Sequence, residues 1–187
     1  MSDRDEIEVV VPAQEGWNSD KEEFVQIKET TIRMKHSLLS ISKWEMTWKK
    51  PFLKYGYEMT PEETIDYYRC MTITQNIDPN IYYFIPESEQ KRINEYIATP
   101  MSAYIPPKGG KGGVRQTIVS EKIYFWMTSA NIPSSYEKWH LSRLLNLLEI
   151  AAEENDPKRS KKMPRGEVYK QNTELNNARR KALRTRG

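Results

Sequence analysis

Apolar and polar positions divide the chain into an extended N-terminal part and a longer helical part. Glu6 to Val11 (EIEVVV) is rich in β-branched residues and stops at Pro12, which predicts a short strand. Ala13 to Lys21 is polar around Gly16 and predicts a loop. From Phe24 to Met34 the chain alternates. Phe24, Gln26, Lys28, Thr30, Ile32 and Met34 fall on one side, against Val25, Ile27, Glu29, Thr31 and Arg33 on the other. Neither side is purely apolar, yet the Ile, Val and Thr content predicts a second strand. The two strands are expected to pair as an antiparallel hairpin with a long loop. Two strands alone are marginally stable, so the hairpin must lean on the helices or join another chain's sheet.

Helical spacing begins beyond His36. Ser37 or Ser40 can cap a helix running to about Lys50, where Pro51 interferes, with Leu38, Ile41, Trp44 and Trp48 as its apolar stripe. Thr60-Pro61-Glu62-Glu63 is a helix start with a capping Thr, a Pro in the first turn and a Glu that closes a capping box. Ile65, Tyr68, Met71 and Thr72 form the predicted face of that helix, which should end near Asn76 before the turn Asp78-Pro79-Asn80. A third helix is expected from about Glu87 to Ile97, closed by Pro100. Met101 to Val114 (MSAYIPPKGGKGGV) reads as an exposed loop. Ile118, Ile123, Trp126 and Met127 restore helical spacing, although Thr117 to Phe125 also suits a strand. Ser134-Ser135-Tyr136-Glu137 offers another capping box, predicting a helix to about Glu154 with a broad apolar set including Trp139, Leu144 and Leu148. Pro164 to Arg184 suits one more helix. Its stripe of Val168, Leu175 and Ala182, seven apart, is too thin to fold alone and suggests docking.

These elements predict an α+β fold, mainly α. An N-terminal β-hairpin (1–35) is followed by a helical core (36–155) and a basic C-terminal helical tail (156–187), which together make a single domain plus tail. At 187 residues the chain is long enough to bury a real core. Its 37% hydrophobic content is low for a globular chain, but eleven tyrosines and five tryptophans argue against wholesale disorder.

Charge is distributed unevenly along the chain. Residues 157–187 hold eleven Lys/Arg and two Asp/Glu, a net of +9. The remainder holds 29 − 11 = 18 basic and 26 − 2 = 24 acidic residues, a net of −6. An acidic body thus carries a basic tail, which suits nucleic acid, an acidic protein surface, or simple solvation. The segment from Asn176 to Arg186 is rich in arginine without interleaved aromatics. It suits an RNA groove rather than stacking on single strands, and equally a solvated C-terminal helix or one that docks on an acidic or amphipathic partner, with Leu175, Arg179, Arg180 and Arg184 as the candidate partner contacts. One cysteine, Cys70, allows no intrachain disulfide, and the N-terminal apolar run is too short for a signal-peptide core. No window approaches a membrane span. A cytoplasmic protein with no membrane partner is expected.

Candidate chemistry is sparse. Lys111 to Thr117 (KGGVRQT) resembles a deviant phosphate-binding loop. Arg115 and Gln116 replace its second glycine and its lysine, and Ile105-Pro106-Pro107 cannot form the buried strand that should precede it. His36 and His140 have no nucleophile elbow or metal-ligand cluster beside them in sequence, and His140 reads as a core-edge residue with a satisfied hydrogen bond. Cys70 reads as a small buried hydrophobe. Neighbouring acids such as Glu62/Glu63 and Glu153/Glu154 do not converge on one ligand. The expectation is a non-enzymatic protein with no catalytic residue, no cofactor and no metal.

A series of segments carries a resemblance. They are His36 to Glu45 (HSLLSISKWE), Lys50-Pro51-Phe52, Glu63 to Met71 (ETIDYYRCM), Asp78-Pro79-Asn80, Ile97 to Ala103 (IATPMSA), Trp139 to Leu145 (WHLSRLL), Leu175 to Arg180 (LNNARR) and Thr185-Arg186-Gly187. In this order they resemble tail assembly chaperones of tailed bacteriophages and prophages, from about residue 30 to the C-terminus. The resemblance implies a protein of the host cytoplasm during phage assembly that coats the tape measure protein and assists tail tube assembly. Its implied partners are the tape measure and tail tube proteins, and homo-oligomers are compatible with the task. A structural tail or neck component of the virion is the near alternative, and nucleic-acid binding through the basic tail is the alternative from another class. Coating a long helix calls for apolar grooves in which aromatics act as anchors. Trp44, Trp48 and Trp126 are the candidate anchors, each with plain core packing as its alternative.

Overall fold

The computed structural model describes residues 5–18, 22–104 and 117–155, together with Thr173. Two compact units divide at residue 149, the first spanning 1–149 and the second 150–187. In the first unit the fold is α+β and mainly helical, as the sequence predicts. Apart from Thr173, the expected C-terminal helix lies outside the described residues, as does the part of the expected loop from residue 105. Of the second unit, the described stretch is the end of a helix, where Asn155 caps its own last turn by donating from Nδ2 to the Ala151 carbonyl at 2.8 Å.

Strand β1 (Ile7–Val11) pairs antiparallel with β4 (Thr30–Met34), with Ile7 opposite Met34 and Val9 opposite Ile32. Period-2 geometry sends Val9, Val11, Ile32 and Met34 to the same side, and all four are fully buried. The predicted loop over 13–21 holds a strand, which pairs with the first half of the predicted strand over 24–34 to make a second hairpin. Strand β2 (Gln14–Asn18) pairs with β3 (Glu23–Ile27), and this pair forms a separate two-stranded sheet. The single strand predicted over 24–34 is broken at Lys28 and Glu29, where the Thr30 hydroxyl donates to the Lys28 carbonyl at 2.9 Å. Polar β2 has no apolar alternation, so its pairing is decided by contacts outside it. Gln14 Nε2 donates to the Phe84 carbonyl at 2.9 Å, and a Cβ on Gly16 would lie 1.8 Å from the Phe84 ring. Only glycine lets the strand approach that ring so closely.

Helix α1 (Leu38–Trp48) starts at Ser37, whose side chain accepts from Ser40 N while Ser40 Oγ accepts from Ser37 N. It ends at Lys49 in the left-handed conformation (φ 55°). Leu38, Ile41 and Trp44 are fully buried, each apolar side chain of that size contributing about 1.5–3 kcal/mol of burial. Helix α2 (Pro61–Met71) carries the predicted capping box of Thr60 and Glu63. Its buried face is Glu63, Tyr67, Tyr68 and Met71, rotated from the predicted one, and Ile65 is only half-buried. The helix also stops earlier than predicted. Lys35 N donates to the Met71 carbonyl and Ile73 N to the Arg33 carbonyl, both at 2.8 Å, so the chain after Met71 runs beside β4 instead of continuing as helix.

Helix α3 (Glu87–Ala98) packs on β1 through a face that buries Ile93 and Tyr96. The stretch that suited either helix or strand is helix α4 (Ser120–Ser129), packed on α1. The predicted helix from Ser134 is corrected. Residues Ser134–Lys138 form a short 3-10 turn with no side-chain cap, Trp139 is extended, and α5 begins only at Leu141 (Leu141–Glu154). The interruption has a tertiary cause, because His140 bridges Ser37 and Leu141 N donates to the His36 carbonyl at 2.9 Å.

Candidate partner-binding surface

The two histidines meet in the interior, with ring centroids 5.2 Å apart. His36 Nδ1 hydrogen-bonds the Tyr67 hydroxyl, and the His36 amide donates to the Tyr96 hydroxyl at 3.2 Å. His140 Nδ1 meets Ser142 Oγ at 2.8 Å, and its Nε2 meets the Tyr96 carbonyl at 3.3 Å. Burial first, and then the neighbouring His140, holds His36 down at about 3. Burial also lowers His140. Both rings are therefore neutral at pH 7. Burial pushes the Tyr67 hydroxyl up, and it pushes the half-buried Cys70 thiol up to about 11. Those groups hold their protons, and the bonds of both rings tie β4, α2, α3 and α5 together.

Two buried carboxylates act in the same structural way. Glu63 accepts from Lys50 Nζ, from the Tyr57 hydroxyl at 2.6 Å and from Thr60 N at 2.8 Å. The Lys50 hydrogen bond, then those of Tyr57 and Thr60, hold Glu63 at about 2. Glu45, on the last turn of α1, accepts from Phe52 N at 2.8 Å and from Ser120 N at 2.7 Å. Among the described residues no group of three His, Cys, Asp or Glu is placed to hold a metal ion. No described helix is long and apolar enough to cross a membrane.

The predicted anchors separate once placed. Trp44 is fully buried and donates from Nε1 to the Glu63 carbonyl at 2.9 Å, so it is core and offers no face to a partner. Trp48 is half-buried, stacked on Trp44, with Nε1 on Asp66 Oδ2 at 2.9 Å and Lys50 over its ring. Trp126 is half-buried on α4 beneath Lys122. Leu175, Arg179, Arg180 and Arg184 lie outside the described residues.

The more exposed aromatics are ones the sequence did not single out as anchors. Trp17 on β2 and Phe24 on β3 are cross-strand partners, 53% and 76% exposed, with ring centroids 5.1 Å apart in an edge-to-face arrangement. Met46 on α1 and Phe125 on α4 are also exposed, on two helices that pack together. The signal for the Trp17–Phe24 pair is two aromatics flanking a polar turn, and it becomes readable only once residues 14–18 are recognised as a strand. Its position is set from behind by the close approach of Gly16 to Phe84. An exposed aromatic pair on a hairpin can bury large area in a partner at little entropic cost, since each ring has two rotatable side-chain bonds. Comparison with protein-family models, with curated proteins and with solved structures finds no match to this chain.

Proposed function

We propose that this chain is a non-enzymatic binding protein, a tail assembly chaperone that holds the tape measure protein and assists tail tube assembly in the host cytoplasm. The resemblance of the segments between His36 and Gly187 supports the family. The observation that carries the binding reading is the outward-facing Trp17–Phe24 pair, a ready anchor for the apolar face of a long amphipathic helix. The committed hydrogen bonds of His36, His140, Glu45 and Glu63 agree with a scaffold whose polar interior serves stability. The basic segment 157–187, with its net charge of +9, favours a second reading in which the chain binds nucleic acid.

The test is a tagged pull-down from infected cells, treated with nuclease and washed through a salt series. A long tape measure protein should co-purify with the wild type and be lost with Trp17→Ala/Phe24→Ala, while purified particles lack the bait. Bait retained in particles assigns a structural tail or neck role instead. Retention on nucleic acid that falls steeply with salt assigns the second reading.

A further inference from the structure

A cleft of about 700 Å³ opens between the N-terminal segment, α1, the end of α2, the 3-10 turn and the start of α5. That volume lies within the usual range of ligand sites, roughly 300–1,000 Å³. Its charges run against those of the surrounding body. Lys35, Lys43, Lys138 and Arg143 face it with Asp5 and Glu6, four cations against two anions, in a region whose formal net charge is −6.

Arg143 is fixed in place there. Its guanidinium carbon lies 4.0 Å from the centroid of the Trp139 ring, and Tyr136 stacks on Trp139 with centroids 3.9 Å apart and an interplanar angle of 15°. Two groups at such distances occupy opposite faces of the indole, so Trp139 is sandwiched between Tyr136 and Arg143. Asp5 Oδ2 takes one of the guanidinium nitrogens at 3.4 Å, and among the described residues most of its five N–H donors are left for another acceptor. Lys43 and Lys138 form no ion pair among the described residues. The same cleft has an apolar wall of Leu39, Met71 and Ile73.

We propose that this cleft binds an acidic peptide segment of a protein partner. One carboxylate sits on Arg143 between Lys43 and Lys138, and a neighbouring apolar side chain lies against Leu39, Met71 and Ile73. A guanidinium already held by Trp139 and Asp5 is suited to bidentate recognition of a planar carboxylate. Asp5 and Glu6 in the wall oppose a polyphosphate, and the apolar wall gives a free phosphate nothing to contact. The site is separate from the Trp17–Phe24 pair and does not rest on the chaperone reading.

The experiment uses the full chain and a fluorescein-labelled decapeptide of Glu, Leu, Ser and Gly in which two glutamates flank a leucine, with Gln replacing Glu in the control. Fluorescence anisotropy at about 150 mM salt, where long-range attraction is screened, should show the Glu peptide binding at least about tenfold tighter than the Gln peptide. Lys43→Glu/Lys138→Glu should weaken it by about tenfold or more, and Arg143→Ala by about tenfold, with Arg143→Lys in between. The thermal midpoint of the double reversal reports an intact fold. If that variant unfolds, Lys138→Glu alone, on the exposed 3-10 turn, carries the comparison with an expected loss of about threefold. Equal binding of the two peptides overturns the proposal. So does unchanged binding to the charge-reversed variants, which assigns the attraction to residues 157–187. Displacement of the peptide by inorganic phosphate at about 1 mM also overturns it, since the cleft would then be a general anion site.

Discussion

Replacing Glu45 with alanine removes the carboxylate on α1 that caps α4. The residue before α4 is Val119, which offers no side-chain cap, and the first helical amide, Ser120 N, is bound by Glu45 Oε2 at 2.7 Å. The other oxygen, Oε1, holds Phe52 N at 2.8 Å and so fixes the loop after α1. Alanine leaves both amides without an acceptor at a cost of about 1–3 kcal/mol each. Ser120 should fall at the upper end, since its hydrogen bond is fully buried while that of Phe52 is partly so. One effect runs the other way. Glu45 lies in the last turn of α1, where the helix dipole disfavours an anion by about 0.3–1 kcal/mol, and alanine relieves that. The loss wins, at about 2–5 kcal/mol, a large part of the roughly 5–15 kcal/mol that a domain has. For a chain of this length that is roughly 5–15 °C in Tm. Glu45→Gln keeps one acceptor oxygen and turns the other into a donor, so it should lose about half as much. Urea unfolding measures the free energies, and amide exchange read by NMR should show Ser120 losing protection ahead of the core. A Glu45→Ala variant within about 0.5 kcal/mol of the wild type, or unchanged exchange at Ser120, would mean that Glu45 does not cap α4.

Further outcomes follow from the same packing. Burial lowers both histidines, so below the ordinary pKa of 6.5 the unfolded chain binds protons that the folded one does not. Stability present above pH 6.5 is therefore lost as pH falls toward about 3, by about 1.4 kcal/mol per pH unit from His36 alone. The urea midpoint should drop between about pH 6.5 and pH 5, above the range where most carboxylates titrate, and His36→Gln should flatten that slope. A flat wild-type profile contradicts the buried neutral pair. Gly16→Ala places a methyl group 1.8 Å from the Phe84 ring and should cost about 1–3 kcal/mol by thermal melting, with Phe84→Leu restoring part of the loss. Thr60→Ala removes the cap that accepts from Glu63 N and should cost about 1 kcal/mol in urea unfolding. Trp17→Ala/Phe24→Ala should change stability by only about 0.5 kcal/mol while abolishing partner capture, and equal losses of both would make the pair structural.

By itself the sequence determined the features whose cause is local. A serine cap for α1 was legible as Ser37 or Ser40, of which the fold uses Ser37, and Thr60-Pro61 starts α2, because a cap needs only its own side chain and an amide three residues on. Strands β1 and β4, the helices α1, α2 and α3 and the body of α5 were legible from periodicity, β-branched content and breakers. So was a hydrogen-bonded His140, which the sequence placed at the core edge and the fold buries completely. Local chemistry misled where a distant partner decided. Ser134 to Glu137 has the letters of a capping box, but Glu137 instead accepts from the Tyr124 hydroxyl at 2.8 Å, and the pairing of His140 with Ser37 delays the helix to Leu141. The early end of α2, the polar strand β2 and the capping of α4 by Glu45 likewise depend on residues far along the chain. The exposed aromatic pair and the cleft around Arg143 were hidden for the same reason. Trp44 and Trp17 are the same residue type, and what separates core from surface is which neighbours the folded chain brings to each. Only tertiary structure supplies those neighbours, because hydrogen bonds and burial depend on proximity in space and not on order along the chain.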